Sequence, residues 1–198
     1  EATFSEALRH ARSADHAMST AVSMSGLGQA LTYADRGADA RPHLVESHER
    51  FVELSVPPGV ITADTMLGLV ARNSGDPVTA ARHWRSALDG PGQSWFEQDD
   101  YSILQYAASI IDDLPTAATL VGAASAAYEK SQVRQVAYVL DDLAATRSRL
   151  EAQLGPDEFG PRFRAGERRT KAEALAIGTA ALEAYLAAAE RTEASHLG

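Results

Sequence analysis

Short breakers built from Gly, Pro and Asp cut this chain into amphipathic stretches of helix length, and their spacing limits the fold more than any other feature. The breakers are Arg36-Gly37-Ala38-Asp39, Val56-Pro57-Pro58-Gly59, Asn73-Ser74-Gly75-Asp76-Pro77, Asp89-Gly90-Pro91-Gly92 and Asp113-Leu114-Pro115. Glycine and proline punctuate helices because one frees the backbone and the other removes a donor. The spacing predicts helices over residues 2–13, 40–54, 61–72, 95–111 and 114–130, with a second helix capped by Asp15 and ending near residue 34. Another is expected to start at Pro77, with Asp76 as its cap, and to run to residue 88.

Composition points the same way. Alanine is abundant and aromatic residues make up 7% of the 198 residues, which favours close-packed helices over a β-sandwich. Cysteine is absent, so disulfides and Cys-based zinc sites are excluded. The net charge of −9 argues against a chain-wide phosphate-binding surface. No unbroken run of about 18 apolar residues occurs, so no membrane span is expected. The amphipathic N-terminus lacks the apolar core of a signal peptide, and a cytoplasmic location is expected. The missing initiator Met suggests an excised or processed chain.

The helices read as pairs. A small residue after the turn, then a large apolar one four positions on, recurs at Ala40 and Leu44, Ala80 and Trp84, and Ala117 and Val121. The small residue lets the second helix approach the first, and the large one fills the groove between pairs. The interval is roughly that of tetratricopeptide-like repeats. The fold class expected is all-α: an α-solenoid of helix pairs over residues 1–130, with capping helices over 131–198 continuous with it in one structural domain. In the cap, residues 131–154 form a long helix with an apolar stripe at Val136, Leu140, Leu143, Leu150 and Leu154, interrupted by Arg147. Residues 157–164 form a short helix presenting Phe159 and Phe163. Thr170 and Glu173 make a capping box for a last helix burying Leu175, Leu182, Tyr185 and Leu186 and fraying near Glu193.

No constellation reads as catalytic, and no metal or cofactor site is expected. His43 and His48 flank Glu46, but a spacing of five turns two helical side chains about 140° apart, which suits a solvated face. His83 shows no acidic partner at helical spacing. Asp99-Asp100, Asp112-Asp113 and Asp141-Asp142 are adjacent pairs, which point apart on a helix and suit caps and solvated faces. There is no GxSxG elbow and no GxxxxGK[ST] phosphate loop. Candidate partner contacts are Trp95, Tyr101 and Tyr106, Arg147, and the basic cluster around Arg164, Arg168 and Arg169, with a structural role as the default for each. That role is core packing for the aromatics, and for the arginines a stem laid along apolar surface with the head in water. Trp84, Phe159, Phe163, Gly166, Thr170 and Glu173 are expected to be structural.

The last third of the chain resembles the tail of large actinobacterial ATP-binding regulators, often linked to LuxR-type DNA-binding or nucleotide-cyclase domains. The residues that carry the resemblance are Val121-Gly122-Ala123-Ala124, Arg147, Leu154-Gly155, Phe159, Phe163, Gly166, Thr170 and Glu173. Phe163 departs from the Trp common there, and Glu167-Arg168-Arg169 is more basic than usual. The resemblance implies a non-catalytic interaction or sensor region of a signal-transducing transcriptional regulator. It would couple a protein partner, or a small ligand or peptide, to an ATPase or output domain outside these residues, with no direct nucleic-acid contact of its own. Two alternatives stand beside it. One is a stand-alone helical ligand-binding protein or enzyme with a buried polar pocket. The other is a homodimerisation module using Ala180, Ala184, Ala187 and Ala188 on the last helix.

Overall fold

Helices of near-equal length follow one another at a fixed interval in the first half of the chain. The structure is a computed structural model that describes residues 2–14, 16–89, 95, 97–131 and 135–196. The described residues form helices and turns, with no strand among them. They fall into two compact units, Glu1–Phe96 and Glu97–Gly198.

The first unit holds α1 (Ala2–Ser13), α2 (Ala17–Tyr33), α3 (Gly37–Glu53), α4 (Pro57–Asn73) and α5 (Pro77–Asp89). Helices α2 to α5 begin at intervals of 20 residues, and α2, α3 and α4 are each 17 residues long. Three residues link each neighbouring pair, and the same hydrogen bonds close each link. Arg36 N–H donates to Leu31 C=O, Val56 N–H to Phe51 C=O and Asp76 N–H to Ala71 C=O, each at 2.9 Å. A second bond runs from Asp35 to Thr32, from Ser55 to Val52 and from Gly75 to Arg72. This is the Schellman closure, and it needs a left-handed residue just past the helix. Asp35, Ser55 and Gly75 occupy that position with φ of 57°, 55° and 81°.

These turns correct two expected boundaries. α3 starts at Gly37 rather than residue 40, and α4 at Pro57 rather than residue 61. Pro57 opens α4, where its missing N–H costs nothing, so the proline pair belongs to the helix. Asp15 lies outside the described residues; the observed cap of α2 is His16, whose Nδ1 accepts from Ser19 N–H. Asp76 caps α5 as expected, accepting from Thr79 N–H at 2.9 Å.

Packing within the unit follows the small-to-large pattern. Ala40, Leu44, Ala80 and Trp84 are fully buried. Leu44 lies where a Cβ on Gly28 would stand, and Trp84 lies where one on Gly68 would stand. The Trp84 indole donates to Thr65 C=O at 3.1 Å, so its polar edge is satisfied inside the core.

The second unit holds α6 (Glu97–Ala108), α7 (Leu114–Lys130), α8 (Ala137–Leu154), α9 (Pro156–Glu167) and α10 (Lys171–His196). Ala117 and Val121 are fully buried in its core with Leu120, Leu150, Phe159 and Phe163. Asp113 caps α7 by accepting from Thr116 N–H. α7 and α9 cross backbone to backbone: a Cβ on Gly122 would meet the Phe163 carbonyl, and one on Gly166 the Thr119 carbonyl. α10 opens on the expected capping box. Thr170 N–H donates to the Glu173 carboxylate at 2.9 Å, and Glu173 N–H returns to Thr170 Oγ1 at 3.3 Å.

Several expectations shift here. α6 ends at Ala108, before residue 111, in a turn where Ile110 N–H donates to Ala107 C=O. α8 starts at Ala137 rather than residue 131, behind an extended Val136; residues 132–134 lie outside the described residues. Its buried face is Val139, Thr146 and Leu150, while Val136 and Leu140 are exposed. The fully buried Gln105 of α6 sets that face by donating to Val139 C=O and the Asp142 carboxylate, both at 2.9 Å. α10 runs to His196 and buries Ala174 and Leu182, with Leu175, Tyr185 and Leu186 half-buried. By length and composition alone, α10 is also apolar enough to cross a membrane, although Glu183 interrupts any unbroken apolar run.

Candidate functional site

Three helices of the first unit converge on one buried carboxylate. α4 places Asp64 inside, with 5% of its side chain exposed. α5 presents His83 and Ser86, three residues apart and so on one face, and α3 presents His48. His83 Nδ1 lies 2.9 Å from Asp64 Oδ1, Ser86 Oγ donates to Oδ2 at 2.9 Å, and His48 Nε2 stands 3.6 Å from Oδ1.

Burial pushes the Asp64 carboxyl up, but hydrogen bonds from His48, His83 and Ser86 outweigh it and hold the group at about 2. The same hydrogen bond raises the His48 imidazole above its ordinary value, against the burial that lowers it. Asp64 is therefore ionised at neutral pH, a fixed negative charge inside a helical layer.

A cavity of about 580 Å³ lies beside it. Phe51, Val52, Val56, Val60 and Ile61 give it apolar walls, and Asp64 and Ser86 supply polar groups on one side. Trp95, described as a single exposed residue, sits edge-on to Phe51 with ring centroids 5.4 Å apart.

This arrangement differs from nucleophilic machinery. In a Ser–His–Asp relay the imidazole stands between hydroxyl and carboxylate. Here Ser86 and His83 each meet the carboxylate separately. A carboxylate held at about 2 is also a weak proton acceptor at neutral pH. Both imidazoles address a single oxygen, and among the described residues no group of three or more His, Asp or Glu is placed to hold a metal ion. What the arrangement can do is present negative charge to an apolar cavity.

The sequence reading did not reach this site. His48, His83 and Ser86 are 16, 19 and 22 positions from Asp64 and share no motif; only packing of α3, α4 and α5 brings them together. Glu46, the residue between the two histidines read from sequence, turns instead to Arg50 and Arg12.

The expected contact residues are dispersed. Trp95 is exposed in the first unit. In the second, Tyr106 is fully buried and Tyr101 packs against the core, so Tyr106 cannot present its ring to a partner. Arg147 is exposed, with its guanidinium 4.7 Å from the centre of the Phe163 ring, which is the stem-and-head arrangement of an arginine covering an aromatic. Arg164 and Arg168 are exposed, and Arg169 pairs with Glu173 at 3.4 Å. Of the aspartate pairs, Asp100 pairs with Lys171 at 2.6 Å, Asp113 is a cap and Asp142 accepts from Gln105.

Compared with protein-family models, curated proteins and solved structures, the chain matches none of them.

Proposed function

We propose that this chain is a tetratricopeptide-like helix-pair scaffold that holds a partner or ligand and transmits its presence to an output domain of the same signalling protein. The observation that carries the reading is the repetition in the first unit. Three Schellman turns stand 20 residues apart, and the Gly28–Leu44 contact recurs as Gly68–Trp84 after 40 residues. A repeated helix pair stacks into a layer whose sides are binding surface rather than reaction centre. The resemblance of the tail supplies the context: an ATP-binding bacterial regulator, with mechanism by population shift.

The test uses the full gene product. Double replacement of the exposed Arg168 and Arg169 by Glu, and separately of Trp95 by Ala, is expected to change its ATP turnover or DNA affinity while leaving the far-UV circular dichroism intact. A full polypeptide that encodes no nucleotide- or DNA-binding domain would sink the regulatory reading, as would an output indifferent to both replacements.

A second reading, a helical ligand-binding protein, is favoured by the Asp64 cavity, although its walls are mainly apolar where a polar pocket was expected. It is compatible with the first, since a sensor must hold something.

A further inference from the structure

The geometry points to the cavity beside Asp64 as a binding site for a small organic cation, an ammonium carried on an apolar group. This inference rests on the ligand-holding reading, and the experiment below separates the two.

The first support is charge. Among the described residues lining the cavity, the charged ones are Asp64 and Asp89, both carboxylates. Asp89 sits at the exposed end and is paired with Arg85 one turn earlier on α5, so its charge is partly met. The His48 imidazole, 3.6 Å from Oδ1, meets part of the Asp64 charge, but the carboxylate is not used up. His83 and the more distant His48 both address Oδ1, leaving Oδ2 with Ser86. A carboxylate oxygen accepts two hydrogen bonds, so Oδ2 keeps one direction available. The two histidines are not among the cavity's lining residues. An ammonium at Oδ2 would complete the carboxylate with a charge-assisted bond in a partly dry setting, where such bonds are strong.

The second support is the walls. Phe51, Val52, Val56, Val60 and Ile61 offer carbon to whatever accompanies the charge. A bare metal cation would need about six oxygens, which these walls do not supply. The cation must therefore bring its own apolar body. The third is size. A cavity of about 580 Å³ lies within the roughly 300–1,000 Å³ of small-molecule sites.

The experiment is calorimetric titration of the intact chain with 2-phenylethylammonium, 2-phenylethanol and 3-phenylpropionate at fixed salt. These share a ring and differ in head charge. The ammonium is expected to bind at least about tenfold more tightly than the alcohol, the worth of one hydrogen bond to a charged group, and the carboxylate more weakly than either. Asp64→Asn should abolish the preference while keeping the alcohol's affinity. Because Asp64→Asn could unfold the layer, Ser86→Ala provides a second arm. It removes the competing donor from Oδ2, and the ammonium should then bind more tightly. Val60→Trp, which fills the cavity, should abolish binding of all three.

Equal affinities for ammonium and alcohol would overturn the cation inference and leave a ligand cavity standing. No binding of any of the three to folded protein would overturn the ligand-holding reading as well. Binding of a capped Phe-Lys peptide without the free amine would move the occupant to a peptide side chain and overturn the small-cation proposal.

Discussion

Asp64 concentrates more chemistry than any other described side chain, and its electrostatics make a signed prediction. Its carboxyl stands at about 2 against an ordinary 3.8, so it adds stability that is present above the ordinary value and is lost as pH falls toward 2. The shift corresponds to about 2 kcal/mol. His48 moves the other way. Its raised pKa adds stability that is full below the ordinary 6.5 and lost as pH rises through the folded value. Both effects describe one interaction and are not additive. Urea unfolding at a series of pH values should therefore show a plateau from about pH 4 to 6.5, with stability declining on either side. In Asp64→Asn the His48 titration followed by NMR should shift downward, since the neutral amide no longer favours the imidazolium; an unmoved midpoint would refute the assignment. None of this was legible beforehand. His83 has no acid three or four positions away on its own helix, and its partner lies on α4, so the pair exists only once α4 and α5 have packed. Trp84, one position on, was legible, because a large apolar residue one turn after a small one already says which face turns inward.

At the scale of the element, the turns decide the register. Each of three links places one residue in the left-handed region, and two of those residues are not glycine. A side chain there costs roughly 1–2 kcal/mol against a right-handed conformation, a cost glycine avoids. Ser55→Gly should raise stability by about 0.5–1 kcal/mol after the extra chain entropy of glycine is counted. Gly75→Ala should lower it by about 1 kcal/mol. Thermal unfolding of the two variants reads both signs, and a stabilised Gly75→Ala would show that the closure is not what holds the link. The same residues explain why helix starts were misplaced. A search for breakers marks Gly37 and the proline pair as gaps, whereas the true links are Ala34-Asp35-Arg36 and Leu54-Ser55-Val56, which contain neither glycine nor proline. Where capping side chains signal the boundary, at Asp76, Asp113 and the Thr170–Glu173 box, sequence and structure agree. α8 shows a different failure. Of the expected stripe Leu150 is buried and Leu143 and Leu154 pack against the core, whereas Val136 and Leu140 are exposed and Val139, whose carbonyl accepts from the buried Gln105, lies inside. A polar anchor on another helix leaves no trace in the stripe's own spacing.

At the scale of the molecule, the two units carry separate cores, and the chain supplies separate reporters for them. Its two tryptophans, Trp84 and Trp95, both lie in the first unit. The second unit has a specific weakness at the α7–α9 crossing, where Gly122 and Gly166 let one backbone lie on the other. A methyl group there meets carbonyl oxygen and main chain rather than the flexible end of a side chain, so the helices must move apart. Overpacking of this kind costs about 1–3 kcal/mol. By contrast, Gly160 faces only the mobile tip of Arg164, and Gly160→Ala serves as the control. Gly122→Ala and Gly166→Ala should each lower the midpoint of helix loss seen by far-UV circular dichroism. The tryptophan fluorescence transition should stay within about 0.5 kcal/mol of the parent where Glu1–Phe96 unfolds on its own. The all-helical character could be read from sequence, whereas Gly122 and Gly166 entered only through a resemblance, with no crossing assigned to them. Their physical reason could not, since it depends on which carbonyl each glycine faces. If fluorescence and circular dichroism fall together in Gly122→Ala, the two units unfold as one, and the first unit's helix layer does not stand on its own core alone.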